Sequence, residues 1–202
     1  MDMNIVEYLN QLNFTALFLV FIISKLLIET YLKIRNISSI NENKETIPER
    51  FINVVTEEEY KKSINYNIER IRFSILTSVF GVGVLLFFTI GVIINNLTVF
   101  VQGVTASNVI GAIFLGLLLI VIGEIIEIPL AVYSTFHIEE KYGFNKTTTK
   151  TFVTDLFKNL LIQSIFSSIL YAIVISIIEN LGNNWWIYAS VSYTHLTLPT
   201  KA

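Results

Sequence analysis

The 202-residue sequence contains no cysteine, only three prolines and 15% charged residues. Without cysteine the chain can form neither a disulfide framework nor a thiolate metal site. Its net charge is −2 and its lysines and arginines form no basic face, so nucleic acid is not an expected partner. Hydrophobic residues, in contrast, make up 53% of the chain, a composition typical of membrane proteins. The first expected partner is therefore a lipid bilayer.

Histidine is also scarce, with only His137 and His195 in the whole chain. A zinc protease motif of the type H-E-x-x-H needs two histidines one helical turn apart and a glutamate base between them. No such motif occurs in this sequence. The sequence therefore predicts that this chain holds neither a catalytic residue nor a metal ligand.

Long apolar runs predict an all-α, polytopic membrane protein with four complete spans and the start of a fifth. About 20 apolar residues cross a bilayer core, and the uncharged stretch 73–123 is long enough for two crossings. A group of polar residues and one glycine predicts the break between them: Asn95, Asn96, Gln102, Gly103, Ser107 and Asn108. The spans are predicted at about 9–32, 73–94, 109–132 and 159–178. The interfacial aromatics Trp185, Trp186 and Tyr188 predict the start of the fifth.

The first span carries two charged residues, Lys25 and Glu29, near its end. Their i,i+4 spacing places both on one face of a helix. We expect them to pair with each other or to extend toward the headgroups. An ion pathway is the alternative.

The polar segment 33–72 divides into two halves. Its first half, up to Pro48, is rich in serine and asparagine and is predicted to be irregular. Its second half is predicted to be an amphipathic helix, because Thr56 and Glu59 fit a capping box and isoleucines follow at helical spacing.

The basic residues indicate how the chain is oriented in the membrane. All but two of the fourteen lysines and arginines lie in the loops 33–72 and 134–158. Positively charged loops stay on the cytosolic side. Both loops are therefore predicted to be cytosolic, and the amino terminus is predicted to lie outside.

A charged segment that we call the elbow, residues 133–146, joins the third and fourth spans. Gly143 can adopt a positive φ, which suits a reversal between two helices, and the residues 145–149 offer caps for the next helix. The elbow is predicted to be either a purely structural connection or a segment that contacts substrate.

The elbow and the start of the next helix carry a pattern found in a known family. Its residues are Tyr133, Phe136, Glu139, Glu140, Lys141, Gly143, Phe144, Asn145, Lys146, Asp155 and Lys158. The pattern resembles the type 1 CAAX prenyl proteases, which are integral-membrane zinc metalloproteases, and the segment 47–74 resembles their first cytosolic loop.

The resemblance implies that this chain is the amino-terminal membrane half of a zinc metalloendopeptidase. Such an enzyme processes prenylated or other membrane-associated peptide substrates near their carboxyl terminus. Zinc is expected in the full-length parent and not in this chain, which is expected to be inactive alone. Residues 1–190 would form the membrane domain. Residues 191–202 resemble a translated sequencing adapter and are expected to be non-native.

Glu124 and Glu127 are the most unusual residues inside a predicted span, because carboxylates in the membrane usually face a cavity or a partner. By resemblance they would line the water-filled chamber of the family. The alternative is that both lie close enough to the cytosolic end of the span to be solvated. A second hypothesis for the whole chain is a complete four-helix carrier or sensor that uses these two glutamates.

Overall fold

The computed structural model describes residues 5–45, 47–48, 55–181, 185–187, 190–191 and 194. Its main elements are helical: α1 Ile5–Asn43, α2 Glu57–Ile90, α3 Ile93–Val104, α4 Asn108–Tyr133, a π-helix Ser134–Glu139, and α5 Thr149–Leu181. Four segments are long and apolar enough to cross a membrane: Asn13–Asn43, Glu57–Ile90, Asn108–Glu139 and Thr149–Asn180. The all-α polytopic fold is therefore confirmed. The predicted start of the fifth span and the suspect tail fall largely outside the described residues.

The prediction that the first half of segment 33–72 is irregular was wrong, because α1 continues to Asn43. Two i,i+4 contacts accommodate its polar residues within the helix. The Ser38 hydroxyl donates to Glu42 at 3.2 Å, and the Asn43 side-chain amide donates to the Ser39 carbonyl at 2.8 Å. Polar side chains that can bond within their own helix do not have to end it.

The predicted break between the second and third spans was also partly wrong. Asn95, Asn96, Gln102 and Gly103 lie inside α3, and the chain bends before and after this helix. The first bend is at Gly91 and Val92, where Val92 has a left-handed φ of 65°. The second bend precedes Asn108, the first residue of α4, as the sequence indicated. The apolar residues of α3 keep this connection helical despite its asparagines.

The amino terminus of α2 matches its prediction. Thr56 accepts a hydrogen bond from the Glu59 backbone amide, and the Glu59 carboxylate accepts one from the Thr56 amide, which completes a capping box. These contacts satisfy amides that have no partner within the helix. Local sequence therefore determines where α2 begins.

The chain divides into two compact units. The first contains Met1–Gly91 and Leu130–Lys146, and the second contains Val92–Pro129 and Thr147–Ala202. In the first unit, α2 packs against α1 and against the π-helix. In the second unit, the ring of Tyr171 on α5 lies against the buried Gly116 of α4, and Val101 of α3 lies beside Gly111.

Helix α4 does not end where the third span was predicted to end, near Val132. It continues as a π-helix from Ser134 to Glu139, five residues after the internal Pro129. Proline removes a helical hydrogen bond, and π-helical turns, although rare, occur mostly as single-turn bulges within α-helices. The chain reverses at Tyr142 and Gly143, where the sequence predicted it.

Candidate functional site

The elbow reverses direction through a glycine-dependent cap. Gly143 has a φ of 67°, its amide donates to the Glu140 carbonyl at 2.9 Å, and the Phe144 amide donates to the Glu139 carbonyl at 2.9 Å. This pair of bonds is the Schellman motif, in which a left-handed residue ends a helix. The predicted positive φ of Gly143 is confirmed, and so is the cap of the next helix, because the Thr151 amide donates to the Thr148 hydroxyl at 3.2 Å.

The π-helix is anchored by one apolar side chain. Ile138 is 2% exposed and is, with Val101, one of two buried apolar residues among the described residues. His137 next to it is exposed, and its ring stacks on Tyr133 with centroids 4.8 Å apart. The Tyr133 ring in turn lies 5.1 Å from the ring of Phe73 on α2. The π-helix packs against α2, and Tyr133, which directly precedes it, adds an aromatic contact with Phe73.

A single carboxylate on α2 binds two consecutive side chains that directly precede Gly143. Lys141 donates to Glu69 at 2.7 Å, and the Tyr142 hydroxyl donates to the same Glu69 oxygen at 2.6 Å. The hydrogen bond to Glu69 raises the pKa of the Lys141 ammonium, because the carboxylate favours the charged form. The hydrogen bond to Glu69 also raises the pKa of Tyr142, because it favours the protonated phenol. We call Glu69, Lys141 and Tyr142 the polar tie.

Aromatic rings cover the polar tie on one side. The Tyr66 ring of α2 lies 5.7 Å from that of Tyr142 and 4.7 Å from that of Phe144. Lys62, one helical turn earlier, places its ammonium 5.9 Å from the centre of the Phe144 ring. Partial cover of this kind strengthens hydrogen bonds by lowering the local dielectric.

The other residues of the motif lie in local surroundings. Glu140 accepts a hydrogen bond from the Asn145 side chain at 2.9 Å, and Lys146 is exposed. Glu139 contributes its backbone carbonyl to the reversal, and Phe136 is half-buried. In the second unit, Asp155 and Lys158 form an exposed i,i+3 pair at 3.9 Å.

Glu124 and Glu127 lie three residues apart on α4 within the second unit. The Glu124 side chain is half-buried and that of Glu127 is exposed. Their proximity to a chamber stays a prediction.

Zinc coordination requires about three protein ligands and an open position. Within the part of the chain that the structure describes, no group of three or more histidine, cysteine, aspartate or glutamate side chains is placed to hold a metal ion. His137 stands next to Tyr133 rather than next to further ligands. The described residues therefore do not fit a zinc site.

Sequence reasoning missed the partners that α2 supplies. Glu69 and Tyr66 lie on the predicted amphipathic helix, and nothing in its pattern indicated that both contact the elbow. In the first membrane-crossing helix, Lys25 and Glu29 pair at 3.9 Å as expected, but Glu29 also binds Lys33 at 2.8 Å and Ser78 at 3.2 Å. The available signal was that Lys33 also lies four residues from Glu29.

These features define a multi-pass α-helical membrane domain in which a charged elbow is held against a preceding helix. The sequence profile of the family described as CAAX prenyl protease N-terminal, five membrane helices, matches residues 36–199. The chain belongs to this family, which confirms the resemblance carried by the elbow motif.

Individual relatives agree with this assignment. The chain is 32% identical over 163 residues to CAAX prenyl protease 1 of Saccharomyces cerevisiae, covering 75% of this chain and 35% of the yeast protein. It is 29% identical over 184 residues to the CAAX prenyl protease 1 homolog of Oryza sativa, covering 84% and 41%. A segment of 70 residues is 44% identical to the Probable CAAX prenyl protease 1 of Schizosaccharomyces pombe, covering 35% and 15%.

A solved structure shares the fold. The crystal structure of S. mikatae Ste24p superimposes with a TM-score of 0.75 at 24% identity, over 88% of this chain and 42% of that one. The chain thus spans less than half the length of the relatives it matches.

Proposed function

We propose that this chain is the amino-terminal membrane half of a zinc-dependent endopeptidase that cleaves prenylated or other membrane-associated proteins near their carboxyl terminus. The observation that supports this most strongly is the family match over residues 36–199. The relatives are named as CAAX prenyl proteases or their homologs, and this supports the proposed activity.

The contacts of the elbow favour a positioning role for it. Its most strongly bound side chains, those of Lys141 and Tyr142, are engaged by Glu69 within the same chain. A side chain already held by a short hydrogen bond is less free to bind substrate as well. Exposed members such as Phe144 and Lys146 remain available for a substrate contact. We infer that the polar tie sets the direction in which the chain leaves the π-helix.

The catalytic residues are proposed to lie outside these 202 residues. A metalloprotease needs a zinc-activated water and a general base, and the sequence has no H-E-x-x-H. When bound, zinc would supply the polarised water that attacks the peptide bond. The residues of this chain would hold the membrane helices and the elbow around that site.

Metal analysis tests the proposal directly. The purified 202-residue chain should contain no stoichiometric zinc and cleave no peptide. The longer protein encoded when the gene is read beyond codon 189 should bind zinc and cleave peptide. A continuing reading frame that encodes a further span and an H-E-x-x-H is expected. One tightly held zinc per 202-residue chain, or a stop codon directly after codon 189, would contradict the proposal. The stop codon would favour the carrier or sensor built around Glu124 and Glu127.

We also propose that the amino terminus lies outside and that loops 33–72 and 134–158 are cytosolic, from the placement of lysine and arginine. Single cysteines are informative because the chain has none of its own. Lys44→Cys and Lys146→Cys should be protected from a membrane-impermeant thiol reagent in intact cells, while Asn96→Cys should react. Lysed cells provide the control in which all three react. Labelling of Lys146→Cys in intact cells would contradict the proposed orientation.

A further inference from the structure

Three chain connections join the two compact units. They fall between Gly91 and Val92, between Pro129 and Leu130, and between Lys146 and Thr147. The backbone is irregular at each of them: a bend with a left-handed residue at the first, a proline inside α4 at the second, and non-helical backbone at the third. Hinges between rigid parts are usually a few residues in loops or at the ends of elements, because such residues absorb large changes in φ and ψ. The three connections are therefore the candidates for a hinge.

Val92 has the least favourable backbone at these connections. Its φ is 65°, and among the described residues no other non-glycine residue has a positive φ. Left-handed backbone brings the Cβ atom too close to the following carbonyl oxygen, and it is particularly unfavourable for a β-branched side chain. Strain of this kind lasts only where the surrounding structure enforces it.

The surroundings of Val92 do not enforce its conformation. Its side chain is 58% exposed, and as the N-cap residue of α3 it forms no side-chain hydrogen bond to the helix. The reversal at Gly143 is different, because glycine adopts a left-handed φ without strain and a Schellman pair of hydrogen bonds holds the turn. The bend at Val92 is therefore both strained and weakly held.

The bend also depends on the missing side chain of Gly91. The Gly91 amide donates to the Phe87 carbonyl at 3.1 Å, and a Cβ atom on Gly91 would collide with that same oxygen. Helix α2 ends at Ile90 and α3 begins at Ile93. A return of Val92 to right-handed helical backbone would join α2 and α3 into one helix, and a side chain at position 91 is compatible with that straight form.

The other two connections can follow a change at the first. Pro129 has no amide hydrogen, so the Ile125 carbonyl lacks its usual helical partner, and a proline inside a helix is a common site of bending. The backbone at 144–148 is not helical. Both connections can therefore change direction without breaking a regular helix.

We propose that Gly91 and Val92 form a two-state hinge. In one state Val92 is left-handed and the chain bends, as in this structure. In the other state Val92 is right-handed and α2 continues into α3. The change reorients the second unit relative to the first, while the connections at Pro129 and at 144–148 adapt. The hinge does not depend on the protease proposal, because it uses only the backbone of these connections.

Spin-label distances distinguish the two states, because the chain has no cysteine of its own. Leu76→Cys on α2 and Val99→Cys on α3 are suitable positions, since both side chains are exposed. In one uninterrupted helix the two residues would be about 35 Å apart, and any bend between them shortens this distance. Double electron–electron resonance on the chain in lipid nanodiscs should show both the straight-helix distance and a shorter one. One narrow distance would overturn the proposal.

Two substitutions should shift the two populations in opposite directions. Val92→Asn should raise the ratio of bent to straight chains about tenfold, because asparagine tolerates left-handed backbone far better than valine does. Gly91→Ala should remove the shorter distance, because its Cβ atom collides with backbone in the bent state and alanine favours a helix. Should Gly91→Ala not fold, Val92→Asn still tests the hinge, and an unchanged ratio in Val92→Asn would contradict it.

Matched controls separate the hinge from a general effect on α2. Val92→Ile keeps a β-branched side chain at the bend. Gly83→Ala adds the same Cβ atom to the same helix at a position where it meets nothing within 4 Å. Both variants should keep the populations of the unmodified chain. If Gly83→Ala removes the shorter distance as Gly91→Ala does, the proposed hinge is wrong.

A second pair of labels tests whether the bend moves the units. Glu58→Cys lies in the first unit and Lys158→Cys in the second, and both positions are exposed. The distances between them should shift in Gly91→Ala together with those across the bend. Glu58→Cys paired with Leu76→Cys, both on α2, should give one distance in every variant. If the distances across the bend shift while those from Glu58→Cys to Lys158→Cys do not, the bend is local and the hinge is disproved.

Discussion

The two compact units join their helices by different chemistry. In the first unit, α2 is held by charged and hydroxyl groups, through Glu69 to the elbow and through Ser78 to α1. In the second unit, α4 and α5 meet chiefly where the Tyr171 ring lies against Gly116, and one exposed polar contact joins them, from the Asn108 side-chain amide to Glu179 at 3.2 Å. The Phe100 and Phe114 rings of α3 and α4 lie 6.3 Å apart. Close approach at a small residue is favoured between membrane helices, because lipid offers no hydrophobic driving force for their association.

The largest effect is expected from filling the glycine contact of the second unit. Gly116→Leu would place a side chain where atoms of the Tyr171 ring already lie. Overpacking of this kind costs about 3 kcal/mol, seen as a lower melting temperature in detergent. Gly123→Leu is the matched control, because a side chain at Gly123 meets nothing within 4 Å. Adding Tyr171→Ala to Gly116→Leu should partly restore the melting temperature. If it does not, the Tyr171 ring is not what the new leucine clashes with.

A smaller loss is expected at the reversal of the elbow in the first unit. Gly143 has a φ of 67°, which strains a β-branched side chain. Gly143→Val should destabilise the chain by about 1–3 kcal/mol. Gly143→Asn should cost much less, because asparagine tolerates left-handed backbone. Equal melting temperatures for the Val variant and the unmodified chain would mean that the elbow needs no special dihedral.

The smallest effect is expected from the polar tie. Glu69→Gln removes the charge that binds Lys141, whose side chain is 54% exposed, so screening by water keeps the fall in melting temperature below that of Gly143→Val. Glu57→Gln breaks the fully exposed Glu57 and Lys61 pair and should lower the melting temperature less still. If the two variants have the same melting temperature, the contacts of Glu69 stabilise the chain no more than an exposed ion pair does.

Alkaline pH offers a second measurement of the polar tie. The pKa values of Lys141 and Tyr142 are both raised in the fold above their ordinary values of 10.5 and 10.0 by the hydrogen bonds to Glu69. A raised pKa means that the stabilisation is complete below about pH 10 and is lost as the pH rises through the folded values. The melting temperature of the unmodified chain should therefore fall more steeply above pH 10 than that of Glu69→Gln. If the melting temperatures of the two proteins fall in parallel above pH 10, the hydrogen bonds to Glu69 do not contribute to stability as predicted.

Much of the fold could be predicted because its signals are local. The four spans follow from apolar length, and the start of α2 follows from Thr56 and Glu59. The predictions failed where polar residues found partners in their own helix, as at Ser39 and Asn43, which kept α1 intact. Composition alone does not reveal whether a polar residue ends a helix or bonds within it.

The sequence predicted the elbow residues of the candidate site but not their partners on α2. The elbow motif located Lys141, Tyr133 and Gly143, but its partners Glu69 and Tyr66 come from α2, more than 60 residues earlier in the chain. A helical pattern states which residues share a face, not which other segment that face contacts. The same limitation applies to Lys33, whose hydroxyl partner is Ser78 on another helix.

The sequence by itself determined that the chain crosses a membrane, where it reverses at Gly143, and to which family it belongs. Length, glycine conformation and motif spacing are properties of contiguous residues, so they can be read along the chain. Only the tertiary structure decided that Glu69 binds Lys141 and Tyr142 just before the reversal and that Lys33 binds Ser78 on another helix. Both depend on how α2 approaches residues distant in sequence, and that approach is set by packing.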